Sequence, residues 1–124
     1  MDCITTEARR KKAYDLEERT YRFARSVINF IEALPKTIIN NEMTKQVIRS
    51  SGSIGANYIE ANEALSKKDY AFRVKICRKE AKETIYWLKL IHVKGKEMLQ
   101  KQETLVIEGT ELMKIFGTII EKVK

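Results

Sequence analysis

Four stretches of the chain place apolar residues three and four positions apart, the spacing that gathers them on one face of an α-helix. Tyr14, Tyr21, Ala24, Val27, Ile28, Ile31 and Leu34 predict a first helix from Ala13 to Leu34. Pro35 stops it, because a proline disfavours the α conformation in the residue before it. A second helix is expected from Lys36 or Thr37 to Ala61, with Ile39, Met43, Val47, Ile54, Tyr58 and Ala61 near one stripe. Asn40-Asn41 would be a break or a second start within it. Ala64-Leu65-Ser66 then makes a turn, and Ser66 offers an oxygen to the free amides of a third helix, with Asp69 at the third helical position. That helix is read from Lys67 to Val93, with Gly95 as its terminator. Leu105, Gly109, Leu112, Phe116, Ile119 and Val123 predict a fourth over Glu103–Lys122, its apolar face widened by Val106, Met113, Ile115 and Ile120. No strand alternation or low-complexity tract interrupts the pattern. Four helices joined by short connections predict an all-α, antiparallel up-down four-helix bundle over residues 13–124. A flexible basic segment, residues 1–12 with Arg9-Arg10-Lys11-Lys12, is expected to precede it.

Helix 3 carries more than one message. One stripe, Tyr70, Val74, Cys77, Ala81, Ile85 and Leu88, suits the bundle core. Roughly opposite stand Phe72, Ile76, Trp87 and Leu90. A surface helix of a monomer usually keeps its second face polar, so this face predicts a subunit interface, most simply with another copy of the chain. A third stripe holds Lys75, Lys79, Lys82, Tyr86 and Lys89, with steps of four, three, four and three. Lysines a turn apart can track a phosphate backbone, and Tyr86 can stack on a base. A merely solvated face explains the stripe equally well, and Glu83 beside it weakens its field.

Helix 2 is unusual in its middle. Arg49-Ser-Ser-Gly-Ser-Ile-Gly-Ala-Asn-Tyr-Ile-Glu-Ala-Asn62 sets small residues into a helical pattern and follows them with Asn57 and Glu60. Each glycine within a helix costs roughly 1 kcal/mol against alanine. Gly52 and Gly55 are therefore read as a notch for close helix approach. Asn57 and Glu60 are read first as part of a polar network that fixes helix register, with Thr84 or Lys82 on helix 3, or Arg49, as partners. A direct contact to nucleic acid or metal is the second reading.

Composition narrows the classes. The 124 residues are 44% hydrophobic and 33% charged, which suits one folded domain rather than a disordered chain. No apolar run approaches the length of a membrane span, and the N-terminus has no secretory pattern, so a cytoplasmic protein is expected. Cys3 and Cys77 form no paired motif. Cys77 is read as a core residue and Cys3 as a tail thiol, with no disulfide between them. The formal net charge is +7, and residues 67–82 hold seven basic residues against two acidic ones. Such a local field attracts polyanions. Candidate chemistry is sparse. The one histidine, His92, has Leu88, Lys89, Gly95 and Lys96 as its helical neighbours, none a metal ligand. Gly52-x-x-Gly55 lacks the Lys-Ser/Thr ending of a phosphate loop. No catalytic residue, cofactor or metal is expected.

Two segments together, Ser53-Ile-Gly-Ala-Asn57-Tyr-Ile-Glu60-Ala61 and Lys79-Glu-Ala-Lys-Glu-Thr-Ile-Tyr-Trp-Leu-Lys-Leu90, resemble the four-helix-bundle proteins encoded in intervening sequences of 23S ribosomal RNA genes. The resemblance spans residues 13–123. It departs at Ala61, where the family commonly has glycine, and Asn62 is a substitute cap there. It implies a ring-shaped homopentamer; the periodicity by itself implies only an oligomer. A related bundle, the accessory protein of diversity-generating retroelements, is a basic pentamer that partners a reverse transcriptase and nucleic acid. The expected function is therefore a non-catalytic basic scaffold for RNA or DNA or a ribonucleoprotein. The alternative is a structural oligomer or adaptor for a protein partner, of a mobile-element or toxin–antitoxin kind, with no nucleic acid bound.

Overall fold

The computed structural model describes residues 3–123, which form four α-helices: α1 Cys3–Glu32, α2 Ile38–Asn62, α3 Lys67–Leu90 and α4 Lys96–Lys122. Met1, Asp2 and Lys124, which fall in the expected segments 1–12 and 13–124, lie outside the described residues, as does the Cys3 side chain. Neighbours along the chain pack antiparallel, and α4 closes against α1, giving an up-down four-helix bundle. Among the described residues no helix is long and apolar enough to cross a membrane.

α1 begins about three turns earlier than the apolar pattern indicated. Residues 3–12 continue the helix, with Glu7, Ala8, Arg10, Lys11 and Lys12 exposed. Once a helix is nucleated downstream, extension through good helix formers needs no core contact. The buried face of α1 keeps Val27 and Leu34 of the expected stripe but is rotated away from its two tyrosines. Leu16, Phe23 and Phe30 repeat every seven residues and enter the core with Thr20, Val27 and the post-helical Leu34, whereas Tyr14 and Tyr21 are 67% and 60% exposed. Two apolar stripes compete on this helix. The one made of phenyl and leucyl groups wins, because a phenol keeps a polar end that water can serve.

α2 starts at Ile38 because Thr37, in extended conformation, caps it by accepting the Asn40 amide at 3.0 Å. Asn40 starts no second helix. It is 2% exposed, while Ile39 is 47% exposed. The Asn40 side chain donates to the Pro35 and His92 carbonyls at 3.1 and 3.0 Å and accepts the His92 amide at 3.0 Å. It thus joins the α1–α2 connection to the α3–α4 connection. Ser66 caps α3 as expected, accepting the Asp69 amide at 3.0 Å.

α3 ends at Leu90, not Val93, and α4 starts at Lys96, not Glu103. Gln102 explains both shifts. It is buried on α4, and its amide donates to the Leu88 and Ile91 carbonyls at 2.8 and 3.0 Å, joining the Ile91 amide at the first and serving the second at the end of α3. Gly95, at φ +85°, turns the chain into α4 instead of terminating α3.

The core joins all four helices. Val27, Val47, Ile54, Val74, Cys77, Ala81, Leu88, Leu112 and Phe116 are wholly enclosed, and the Tyr58 and Phe116 rings meet at 5.8 Å between α2 and α4. Gly55 sets the approach of α1 to α2: a Cβ there would lie 3.0 Å from Thr20 Oγ1. Gly52 has nothing within 4 Å of its Cβ position, so only the second glycine of the pair acts as a notch within the chain. At the rim, Arg19 reaches both Glu108 carboxylate oxygens at 2.7 and 2.8 Å, and Asn62 donates to Glu17 at 2.8 Å.

Candidate nucleic-acid interface

The face of α3 turned away from the core carries the basic stripe. Lys75, Lys79, Lys82 and Lys89 are exposed, and Tyr86 is 59% exposed. Core contacts through Val74, Cys77, Ala81, Thr84 and Leu88 fix the rotation of α3 and hold the stripe outward. From Lys75 to Lys89 the row runs about 21 Å at helical rise. Lys79 pairs with Glu83 at 3.9 Å. Lys75, Lys82 and Lys89 meet no carboxylate within 4.0 Å among the described residues. The Tyr86 ring leans edge-on against Trp87, with centroids 5.1 Å apart, which steadies its outer face.

The four residues read as one polar network belong to separate groups. Thr84 donates to the Ser50 hydroxyl at 2.8 Å, or shares its proton with the Glu80 carbonyl at 2.7 Å, deep between α2 and α3. Arg49 lies across the same seam, 3.8 Å from Glu80 and 3.7 Å from Glu83. Asn57 is farther along, accepting from Arg73 at 3.3 Å and donating to the Ser53 carbonyl. Glu60 is exposed and joins neither group. Glu60 stands between Arg49 and Asn57 in helical rotation but about 16 Å along α2 from Arg49, beyond the reach of the Glu80 and Glu83 group. Ser50, Arg73, Glu80 and Glu83 were not foreseen as members. Glu80 is 7% exposed and carried the only available signal, a carboxylate one step from the core residue Ala81. Its Oε2 and the Trp87 indole nitrogen are buried without a hydrogen-bond partner among the described residues.

The second apolar face of α3 is partly consumed by the bundle. Trp87 is half-buried against the core and Ile76 is half-buried, while Phe72 and Leu90 stay 57% and 41% exposed. Burial pushes the Cys77 thiol up to about 12 and raises the Tyr58 and Tyr70 phenols above their ordinary value. No group of three or more His, Cys, Asp or Glu side chains able to hold a metal occurs among the described residues.

The two segments singled out in the sequence, around Asn57 and around Trp87, thus lie on the packed pair α2 and α3. A family model, the 23S rRNA-intervening sequence protein, matches residues 12–117. The chain belongs to that family. A solved structure is similar: a protein of unknown function from the S23 ribosomal protein family of Bacteroides thetaiotaomicron VPI-5482 is 31% identical, the match covers 85% of this chain and 97% of that one, and the two superpose with a TM-score of 0.72. No curated protein matches the chain. Family membership leaves the activity to be read from the surface.

Proposed function

We propose that the protein is a non-catalytic, basic scaffold that assembles from several copies and holds RNA or DNA, alone or within a ribonucleoprotein. The observation that supports this reading is the row Lys75, Lys82 and Lys89, exposed, unpaired with carboxylates among the described residues and flanked by the exposed ring of Tyr86. Lysine heads meet phosphates, which carry no sequence information directly, so binding is expected to tolerate sequence. Copies placed in a ring, as the resemblance implies, repeat the row, and weak contacts then add through avidity. Phe72, Ile76, Trp87 and Leu90 are the proposed subunit contact, with the exposed Phe72 and Leu90 as its free part.

Replacing Lys75, Lys79, Lys82 and Lys89 by Gln keeps helix propensity and removes four charges per copy. Wild type is expected to retain RNA or DNA in a gel-shift assay at low salt and to lose it steeply as salt rises; the variant should stay folded and lose most retention. Equal retention by both proteins across salt concentrations removes the row as the site. The adaptor reading draws on the same exposed Phe72 and Leu90, and it gains if wild type retains no nucleic acid at low salt.

A further inference from the structure

The lysine row is not uniform along α3. Lys75, Lys82 and Lys89 stand seven residues apart, about 10 Å at helical rise, in single file along one side of the helix. Tyr86 enters the last interval, about 6 Å past Lys82 and about 4.5 Å before Lys89 along the axis. It is 59% exposed, so most of its ring lies open to solvent. The ring is nonetheless held. Trp87, the chain's single tryptophan, packs on the subunit's own core, and the Tyr86 ring meets it with centroids 5.1 Å apart and planes at 68°. Tilted aromatic pairs of this kind attract beyond the area they bury. Tyr86 is thereby a platform set in place before anything binds, and a contact made on it costs less ordering. On either side of the platform stands a lysine with no carboxylate within 4.0 Å among the described residues.

We infer that the row takes single-stranded RNA or DNA in preference to duplex, with an unpaired base stacked on Tyr86 and the flanking phosphates on Lys82 and Lys89. Such a preference rests on the row acting as a phosphate-binding face, and adds to it the class of nucleic acid bound. Lysines in file neutralise the phosphates of either form. The ring tells the forms apart. In a duplex the bases cover one another's faces, and a side chain on the outside of a protein helix meets phosphates, sugars and base edges. In a single strand a base can turn out and lay its face on the ring, a contact open to every base because each has a π-face. Phosphate contacts therefore serve both forms, and the stacked base adds affinity to one of them only. A single file of cations also follows one backbone and leaves the second strand of a duplex unanswered.

The probes are a fluorescein-labelled oligouridine strand and the same strand annealed to its complement. Fluorescence anisotropy with the full chain, at one moderate salt concentration, should give the strand an affinity at least about fivefold above the duplex, the lower end of what one stacked base contributes. Tyr86→Ala, at an exposed position, should remove that preference. Strand binding is expected to fall about fivefold to a hundredfold and duplex binding to stay at wild-type level. The salt dependence of strand binding should keep its wild-type slope, because no phosphate contact is lost. Tyr86→Phe retains the ring and should retain the preference. The strand-to-duplex ratio is the quantity read, so a change in assembly, which alters avidity for both probes, does not imitate the effect. Equal affinity of wild type for strand and duplex overturns the proposal. So does a Tyr86→Ala variant that keeps the wild-type preference or loses both probes in proportion. If wild type holds both probes equally and the variant with Gln at Lys75, Lys79, Lys82 and Lys89 loses both, the lysine row stands and the single-strand preference alone fails. If wild type holds neither probe even at low salt, the row fails and the preference falls with it.

Discussion

Gly55 and Gly52 sit one turn apart on α2 and answer to different surroundings. A Cβ at position 55 presses on Thr20 of α1, and one at position 52 meets nothing. Gly55→Leu should lower stability by about 1–3 kcal/mol through overpacking, and Gly52→Ala should raise it by up to about 1 kcal/mol through helix propensity. Thermal unfolding of the two variants checks both signs. Sequence could announce a notch here but could not say which glycine filled it, because that depends on where Thr20 falls across the seam. Cys77 supplies a pH test. Its thiol is held from the ordinary 9.0 up to about 12 by burial, and the Tyr58 and Tyr70 phenols are raised for the same reason. Above pH 9 the unfolded chain loses these protons first, so the stabilisation is whole below that pH and declines as pH rises toward 12. Melting temperature should fall over this window, and Cys77→Ala should fall less steeply. An unchanged slope in Cys77→Ala would show that the thiol does not contribute.

At the scale of helices, the existence and type of all four elements were legible, as were the Lys67 start of α3 and the Lys122 end of α4; the start of α1 and the α3–α4 junction were not. Apolar spacing reports which segments have a face to bury. It is silent about side chains that terminate a helix from a distance. Gln102 and Asn40 do that here. They are polar residues in buried positions, and sequence offers no way to see that their partners are the carbonyls of residues 88, 91 and 92. Gln102→Ala removes a donor from two of these carbonyls, of which Leu88 keeps the Ile91 amide, and should cost about 1–3 kcal/mol. Hydrogen exchange should show the last turn of α3 opening more readily in that variant, while the first turn, capped by Ser66, exchanges as in wild type. For α1 the period was right and the phase was wrong, because Tyr14 and Tyr21 carry the same spacing as Leu16, Phe23 and Phe30.

The whole molecule presents one outward helix face with two kinds of exposed group, lysines and large apolar side chains. The lysine row was fully visible in the sequence, since charge on the outside of a helix needs no partner to define it. The polar cluster between α2 and α3 was half visible: Arg49 and Thr84 belong to it, and Glu60 does not. Assembly tests the apolar groups. Phe72→Ser, at an exposed position, should shift sedimentation toward smaller species without lowering the melting temperature of the subunit. Trp87→Ala should change both, because Trp87 also packs on the subunit's own core. A single light species for wild type at micromolar concentration would refute self-association.

Asn40 and Gln102 have a consequence for how the molecule moves. Both act at the end of the bundle where the α1–α2 and α3–α4 connections lie, and together they bind α2, α4 and the tail of α3 into one hydrogen-bonded knot. Toward the opposite end the described ties include a surface cap at Ser66, the Asn62–Glu17 bond and the Arg73–Asn57 bond. Opening is therefore expected to begin at the far end and travel toward the knot, as in a hinged clasp of graded stiffness. Lys89 rides on the stiff portion and Lys75 on the compliant one. A polyanion gripped along the whole row would meet a firm anchor at one end and an adjustable finger at the other, which lets a single protein surface follow backbones of differing curvature.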